Sequence, residues 1–141
     1  MYPEDKPILV VDHSDARRRA VEAVLRDEGF AVTAAAEGLA ALRAIARQEF
    51  ALVVAAMNLP GTLDGVVTMR QARVRRPCLK FLLINDCAQA PLWLNRDSED
   101  VLAAPFQRWE LLGCVFELIQ RPPASEGADL GRRVRTALWA S

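Results

Sequence analysis

Short apolar blocks of strand length alternate with stretches of helical period along most of this chain, and this alternation restricts the fold more than any other feature. "ILVV" (8–11) is continuous and apolar, as a strand covered on both faces requires. Ser14 can cap a following helix whose apolar positions Ala20, Val21, Val24 and Leu25 recur at helical spacing and which stops at Gly29. "FAVTAA" (30–35) reads as a second strand, Leu39, Leu42, Ile45 and Ala46 stripe a second helix, and "ALVVA" (51–55) is a third strand. A turn with Asn58, Pro60 and Gly61 leads to a helix marked by Val66, Val67, Met69, Gln71 and Val74, which ends in "RVRRP" where cations suit the helix C-terminal dipole.

The pattern continues with "LKFLLI" (79–84) as a fourth strand and "NDCAQAPLWLNRDSED" as a short helix or irregular loop, since Pro91 and Asn95 interrupt it. "VLAA" (101–104) is a minimal fifth strand, and Trp109, Leu112, Cys114, Val115, Phe116, Leu118 and Ile119 supply a last core helix. Five strands and five helices in strict alternation predict an α/β protein with helices on both faces of a parallel sheet. The expected strand order is the flavodoxin-like 2-1-3-4-5, which opens a crevice beyond the ends of strands 1 and 3. Asp12, His13 and Ala55-Ala56 then stand at that crevice.

Residues 1–121 form the expected domain. A break, "RPPASEGADL" (121–130), leads to an amphipathic helix on which Leu130, Val134, Ala137 and Leu138 share one face, with Arg132, Arg133 and Arg135 mostly elsewhere. A lone helix of that length is marginal in water, so docking on the domain or pairing with another chain is expected.

Composition adds exclusions. Eighteen basic and eighteen acidic side chains balance in the 141 residues, which argues against a chain built around nucleic acid or an anionic membrane. About 20 residues follow the core, too few for a DNA-binding unit, so none is expected. Cys78, Cys87 and Cys114 are odd in number and lack a C-x-x-C pattern, so three buried thiols are expected. "MYPEDKP" does not read as a signal peptide and no run reaches the roughly 18 apolar residues of a membrane span, so a cytoplasmic location is expected.

"ILVVDHSDARRRAVEAVLRDEGFAV", "MNLPGTLDG" and "APF" together resemble the receiver domain of bacterial response regulators over about residues 6–120. The resemblance implies a CheY-like domain in which an aspartate ending strand 3 accepts a phosphoryl group. An acidic pair after strand 1 helps to hold Mg²⁺ there, while a hydroxyl ending strand 4 and a lysine before Pro-Phe grip the phosphoryl group. Carried over position by position, the first acid is Asp12, the second falls on His13, the phosphoacceptor on Ala56, the hydroxyl on Asn85 and the lysine on Ala104. Asn58 keeps its place in the turn. Ala56 offers no oxygen to attack phosphorus, and one carboxylate beside an imidazole suits Mg²⁺ poorly.

The expectation is therefore a pseudo-receiver: no enzyme, with no metal and no other cofactor, signalling through protein contacts. Val101, Phe106 and Trp109, with Leu130, Val134 and Leu138 of the tail, are its candidate interaction surface. The expected partner is another signalling protein (a kinase, a regulator or an output protein), a second copy in a homodimer, or both. The alternative is an anion- or cyclic-dinucleotide-binding module using Arg132, Arg133 and Arg135. His13 is read as filling the space of the missing metal, Asp86 as a loop acid or helix cap, and the clusters Arg17–Arg19 and Arg70–Lys80 as solvated helix faces.

Overall fold

The computed structural model describes residues 6–86 and 100–121. In chain order the elements are β1 (Ile8–Val11), α1 (Asp15–Asp27), β2 (Val32–Ala35), α2 (Gly38–Arg47), β3 (Leu52–Ala56), α3 (Gly65–Arg75), β4 (Phe81–Asn85), β5 (Val101–Ala103) and α4 (Arg108–Gln120). The five strands form one sheet in the order β2-β1-β3-β4-β5, and every neighbouring pair is parallel. The predicted sheet order is observed. Four helices fall within the described residues; the fifth expected one, between β4 and β5, and the tail from residue 122 lie outside them.

Side-chain alternation along the central strands explains the two layers. Leu9, Val11, Val53, Phe81 and Leu83 join a core under α2 and α3. Ile8, Val10, Leu52, Val54, Leu82 and Ile84 join a second core under α1 and α4. A strand covered on both sides has to be apolar at every position, which is why these segments read as unbroken runs rather than alternating ones. Strand boundaries shift slightly from expectation: β2 starts at Val32 because Phe30 belongs to the helix exit, and β3 runs one residue further, to Ala56.

The helix ends follow local chemistry. Ser14 accepts a hydrogen bond from the Arg17 amide, and Asp64 caps α3 by accepting one from the Val67 amide at 2.9 Å. Past α1, the Gly29 amide donates to the Arg26 carbonyl at 2.9 Å and the Phe30 amide to the Leu25 carbonyl at 3.1 Å, while Gly29 takes φ +96°. That left-handed exit is accessible to glycine without steric cost. At the other end of the chain, Lys80 donates to the carbonyls of Ile119, at 3.2 Å, and Arg121, closing the C-terminus of α4.

Several expected core positions are outside the core. Val74 is 81% exposed and Trp109 72%, Leu39 is exposed, and Ala20 and Ala46 lie on solvent-facing sides. Buried Ala72 takes the place that Val74 was expected to hold on α3. Cys78 is exposed while Cys114 is buried, and burial pushes the Cys114 thiol up to about 12. Periodicity marks a helix face to within one residue in four, so a small residue at the true contact is easily passed over for a larger neighbour.

α3 reaches the end of β3 by close backbone contact. The Gly65 amide donates to the Met57 carbonyl at 3.0 Å, and a Cβ on Gly65 would stand 2.2 Å from the Ala56 carbonyl oxygen. Only a residue without a side chain fits there. Gly65→Ala is expected to destabilise the protein by at least about 1–3 kcal/mol, as overpacking of a rigid site does, read as a lower urea midpoint at unchanged m-value.

Candidate functional site

The crevice at the C-terminal ends of β1, β3 and β4 gathers residues from four segments. Asp12 follows β1 and is 3% exposed, Ala56 ends β3 and is 1% exposed, and Asn85 ends β4 with Asp86 next to it. The carboxyl side chains of Asp12 and Asp86 are 5% and 6% exposed. Two acids so withdrawn from water require a counter-charge.

Arg17 supplies it. From the first turn of α1, its side chain folds back over the crevice: Nε donates to Asp12 Oδ2, and Nη2 donates to Asp12 Oδ1 at 2.9 Å and to Asp86 Oδ2 at 2.8 Å. The remaining oxygen contacts come from the backbone, with the Ser14 amide on Asp12 Oδ1 at 3.0 Å and the Asn58 amide on Asp86 Oδ1 at 3.0 Å. All four carboxylate oxygens therefore accept hydrogen bonds. The bond to Asp12, foremost, holds the Arg17 guanidinium above its ordinary pKa, against the opposing effect of burial. Arg18 adds a bond from Nη1 to the Asp12 carbonyl at 2.9 Å.

This arrangement corrects three expectations. His13 is exposed and does not fill the crevice; the guanidinium of Arg17 does. Asp86 is a crevice carboxylate rather than a loop acid, and Arg17 is not part of a solvated face. In the sequence nothing separates Arg17 from Arg18 and Arg19. The useful signal is the i, i+5 spacing from Asp12, which lets an arginine in the first turn of a helix reach back to the strand that precedes it.

A divalent cation does not fit this donor set. Each oxygen of Asp12 and Asp86 already faces an N–H, so a metal would have to displace a tethered guanidinium. Among the described residues no group of three or more His, Cys, Asp or Glu side chains is arranged to hold a metal. Ala104 is half-buried, its amide donates to the Asn85 carbonyl at 3.0 Å, and the Ala104–Pro105 bond is cis. Beside it opens a mainly apolar cavity of about 530 Å³ lined by Arg17, Val21, Ala104, Phe106 and Leu111, among others.

The parallel order 2-1-3-4-5, the acid after β1 and the cis proline after β5 define a known frame. The Response regulator receiver domain family matches residues 8–115. The chain belongs to that family. Its receiver domain is similar to response regulator MprA of Mycobacterium sp. (strain KMS), at 32% identity over 86% of this chain and 54% of that protein. It is also similar to the transcriptional regulatory protein CseB of Streptomyces coelicolor, at 28% identity over 86% of the chain and 53% of that protein. The receiver thus spans about half the length of these curated relatives.

Among solved structures it resembles a CheY-like receiver domain protein from Methanospirillum hungatei JF-1, with TM-score 0.72, 26% identity, and 81% and 93% of the two chains covered. The receiver domain of a sensor histidine kinase from Pseudomonas aeruginosa PAO1, solved with magnesium in its active-site cleft, gives TM-score 0.72 and 28% identity over 82% and 98% of the two chains.

The other candidate residues of this receiver are only partly brought together. Val101 packs toward the core under α3, Phe106 packs on the core under α4, and Trp109 at the start of α4 carries the exposed apolar area. Leu130, Val134, Leu138, Arg132, Arg133 and Arg135 lie outside the described residues. Among the described residues no helix is long and apolar enough to cross a membrane.

Replacing Arg17 tests the electrostatics directly. Arg17→Met is expected to cost about 3 kcal/mol at neutral pH, near the lower end for breaking a buried ion pair because the guanidinium is partly solvated. Millimolar Mg²⁺ should raise the midpoint temperature of the variant and leave the parent unchanged, as differential scanning fluorimetry would show.

Proposed function

We propose that this chain is a pseudo-receiver: a non-catalytic, cytoplasmic interaction module of two-component signalling whose docking does not depend on phosphorylation. The observation that carries this reading is the guanidinium of Arg17 bound to both Asp12 and Asp86. In receivers, by family resemblance, a metal between such acids neutralises the phosphoryl group and an aspartate ending β3 receives it. Here a side-chain cation takes the carboxylates, and the β3 end presents the methyl group of Ala56, which has no lone pair to form a bond to phosphorus. Asn85 and Ala104 bring neither a hydroxyl nor an ammonium to the same opening.

A receiver switches because the phosphoryl group binds two conformations unequally. With Arg17 tethered across the crevice, contacts of that kind are made permanently by the protein itself. Control then passes to partner binding. The partner is a second copy or another signalling protein, and the surface is centred on Trp109, an aromatic that is 72% exposed at the start of α4 beside Phe106. Tryptophan at such a position has the character of a binding hot spot.

Incubation with acetyl phosphate, or with beryllofluoride and Mg²⁺, is expected to give no covalent adduct by mass spectrometry and no global shift in the amide spectrum. Ala56→Asp alone should remain unmodified, because the metal position stays blocked. Stoichiometric modification of the parent chain would overturn the reading. In light scattering a concentration-dependent dimer is expected, weakened about tenfold or more by Trp109→Ala; a dimer indifferent to that change would remove Trp109 from the interface.

A further inference from the structure

Charge is unevenly distributed over this neutral chain. Between Gly38 and Lys80 there are seven cations, Arg43, Arg47, Arg70, Arg73, Arg75, Arg76 and Lys80, against two carboxylates, Glu49 and Asp64. Both carboxylates are committed, Glu49 to Lys6 at 3.0 Å and Asp64 to capping α3.

Three of the cations serve the fold. Arg73 donates to the Leu79 carbonyl at 3.1 Å and lies over the Phe81 ring, Arg76 closes α2 by donating to the Ile45 carbonyl at 3.0 Å, and Lys80 holds the end of α4. Arg43, Arg47 and Arg75 are different. All three are exposed, and among the described residues none has a carboxylate within ion-pairing distance. Arg47 and Arg75 sit in the last turns of α2 and α3, where the helix dipole accounts for a cation. Arg43 sits mid-helix, and at i, i+4 from Arg47 it repels that neighbour, so the dipole does not explain it.

Arg43 and Arg75 flank a cleft of about 280 Å³ between α2 and α3. Buried Ile45 and Ala72 form its floor, with Leu42 and Ala46 as walls. Exposed Leu39 lies one turn before Leu42 and Arg43 on α2, and exposed Val74 one turn after Gln71 on α3, so apolar surface continues past the cleft at both helices. The cleft falls just below the usual range for small-molecule pockets and suits an inserted side chain.

We propose that the α2–α3 face is a docking surface for an acidic polypeptide segment of a partner protein, whose carboxylates meet Arg43, Arg47 and Arg75 while one or two aliphatic side chains enter the cleft. Charge complementarity selects the acidic partner, and the apolar floor favours a peptide over nucleic acid, whose phosphates would leave that floor uncovered. The surface lies on the opposite side of the sheet from Trp109, and the proposal stands apart from the reading of the crevice.

The test uses the full chain, isotope-labelled, with three probes: a peptide of Glu-Glu-Leu repeats, polyglutamate of equal charge, and a short DNA duplex. The Glu-Glu-Leu peptide is expected to shift the amides of Leu42, Arg43, Ala46, Gln71 and Arg75. Arg43→Glu with Arg75→Glu, both exposed and compatible with folding as checked by circular dichroism, should weaken it about tenfold. Polyglutamate should bind more weakly than the peptide. Absence of shifts on α2 and α3, equal binding of polyglutamate, or tighter binding of the duplex through the same arginines would each overturn the proposal.

Discussion

Two carboxylates withdrawn from water at the ends of parallel strands are the constraint on which the crevice depends. The side chains of Asp12 and Asp86 are each about nineteen-twentieths buried, and carboxylates so withdrawn from water repel one another unless a cation lies between them. Arg17 meets that need with the planar fork of a guanidinium, whose Nε and Nη2 together reach three oxygens of the two acids. The same contact links the exit of β1 to the exit of β4, and the Asn58 amide on Asp86 ties in the turn after β3. Three strands and α1 are therefore fastened at one point by charge-assisted hydrogen bonds.

That point was the least legible part of the sequence. The sheet order followed from apolar blocks and helical stripes, because strands buried on both faces can be made only of residues such as those in "ILVV" and "FLLI". The family frame followed from the turn and cap residues Asn58, Gly61, Asp64 and Gly65, whose backbone roles admit few substitutes. Arg17 had no such mark. Its neighbours Arg18 and Arg19 pair with Asp15 on the helix surface, and only the fold back toward β1 separates the three. Asp86 was obscure for a related reason: its role depends on a side chain 69 positions away.

Side-chain size explains the errors in the core. Trp109 and Val74 are large and apolar, and periodicity alone assigns such residues inward. The structure places both outward and packs small Ala72 and Gly65 at the α3 contacts. An exposed Trp is informative in the opposite sense, since scattered aliphatics on a surface are ordinary while a solvated indole is a large apolar area left for a partner.

The position of the exposed groups bears on how such a domain transmits information. Trp109 stands on the α1–α4 layer and Arg43 and Arg75 on the α2–α3 layer, with a close-packed sheet between them. A receiver that switches couples its crevice to its surfaces through a bistable element. A guanidinium tethered to α1 by its own backbone cannot depart as a phosphoryl group or metal can, so under the proposed reading the crevice contributes rigidity rather than a second state. Partners docked on opposite faces, as proposed, would then be related by the geometry of the sheet rather than by a conformational change. On the proposed reading, the methyl group of Ala56 and the internal cation of Arg17 act together in this respect, because both would turn a switch into a fixed connection.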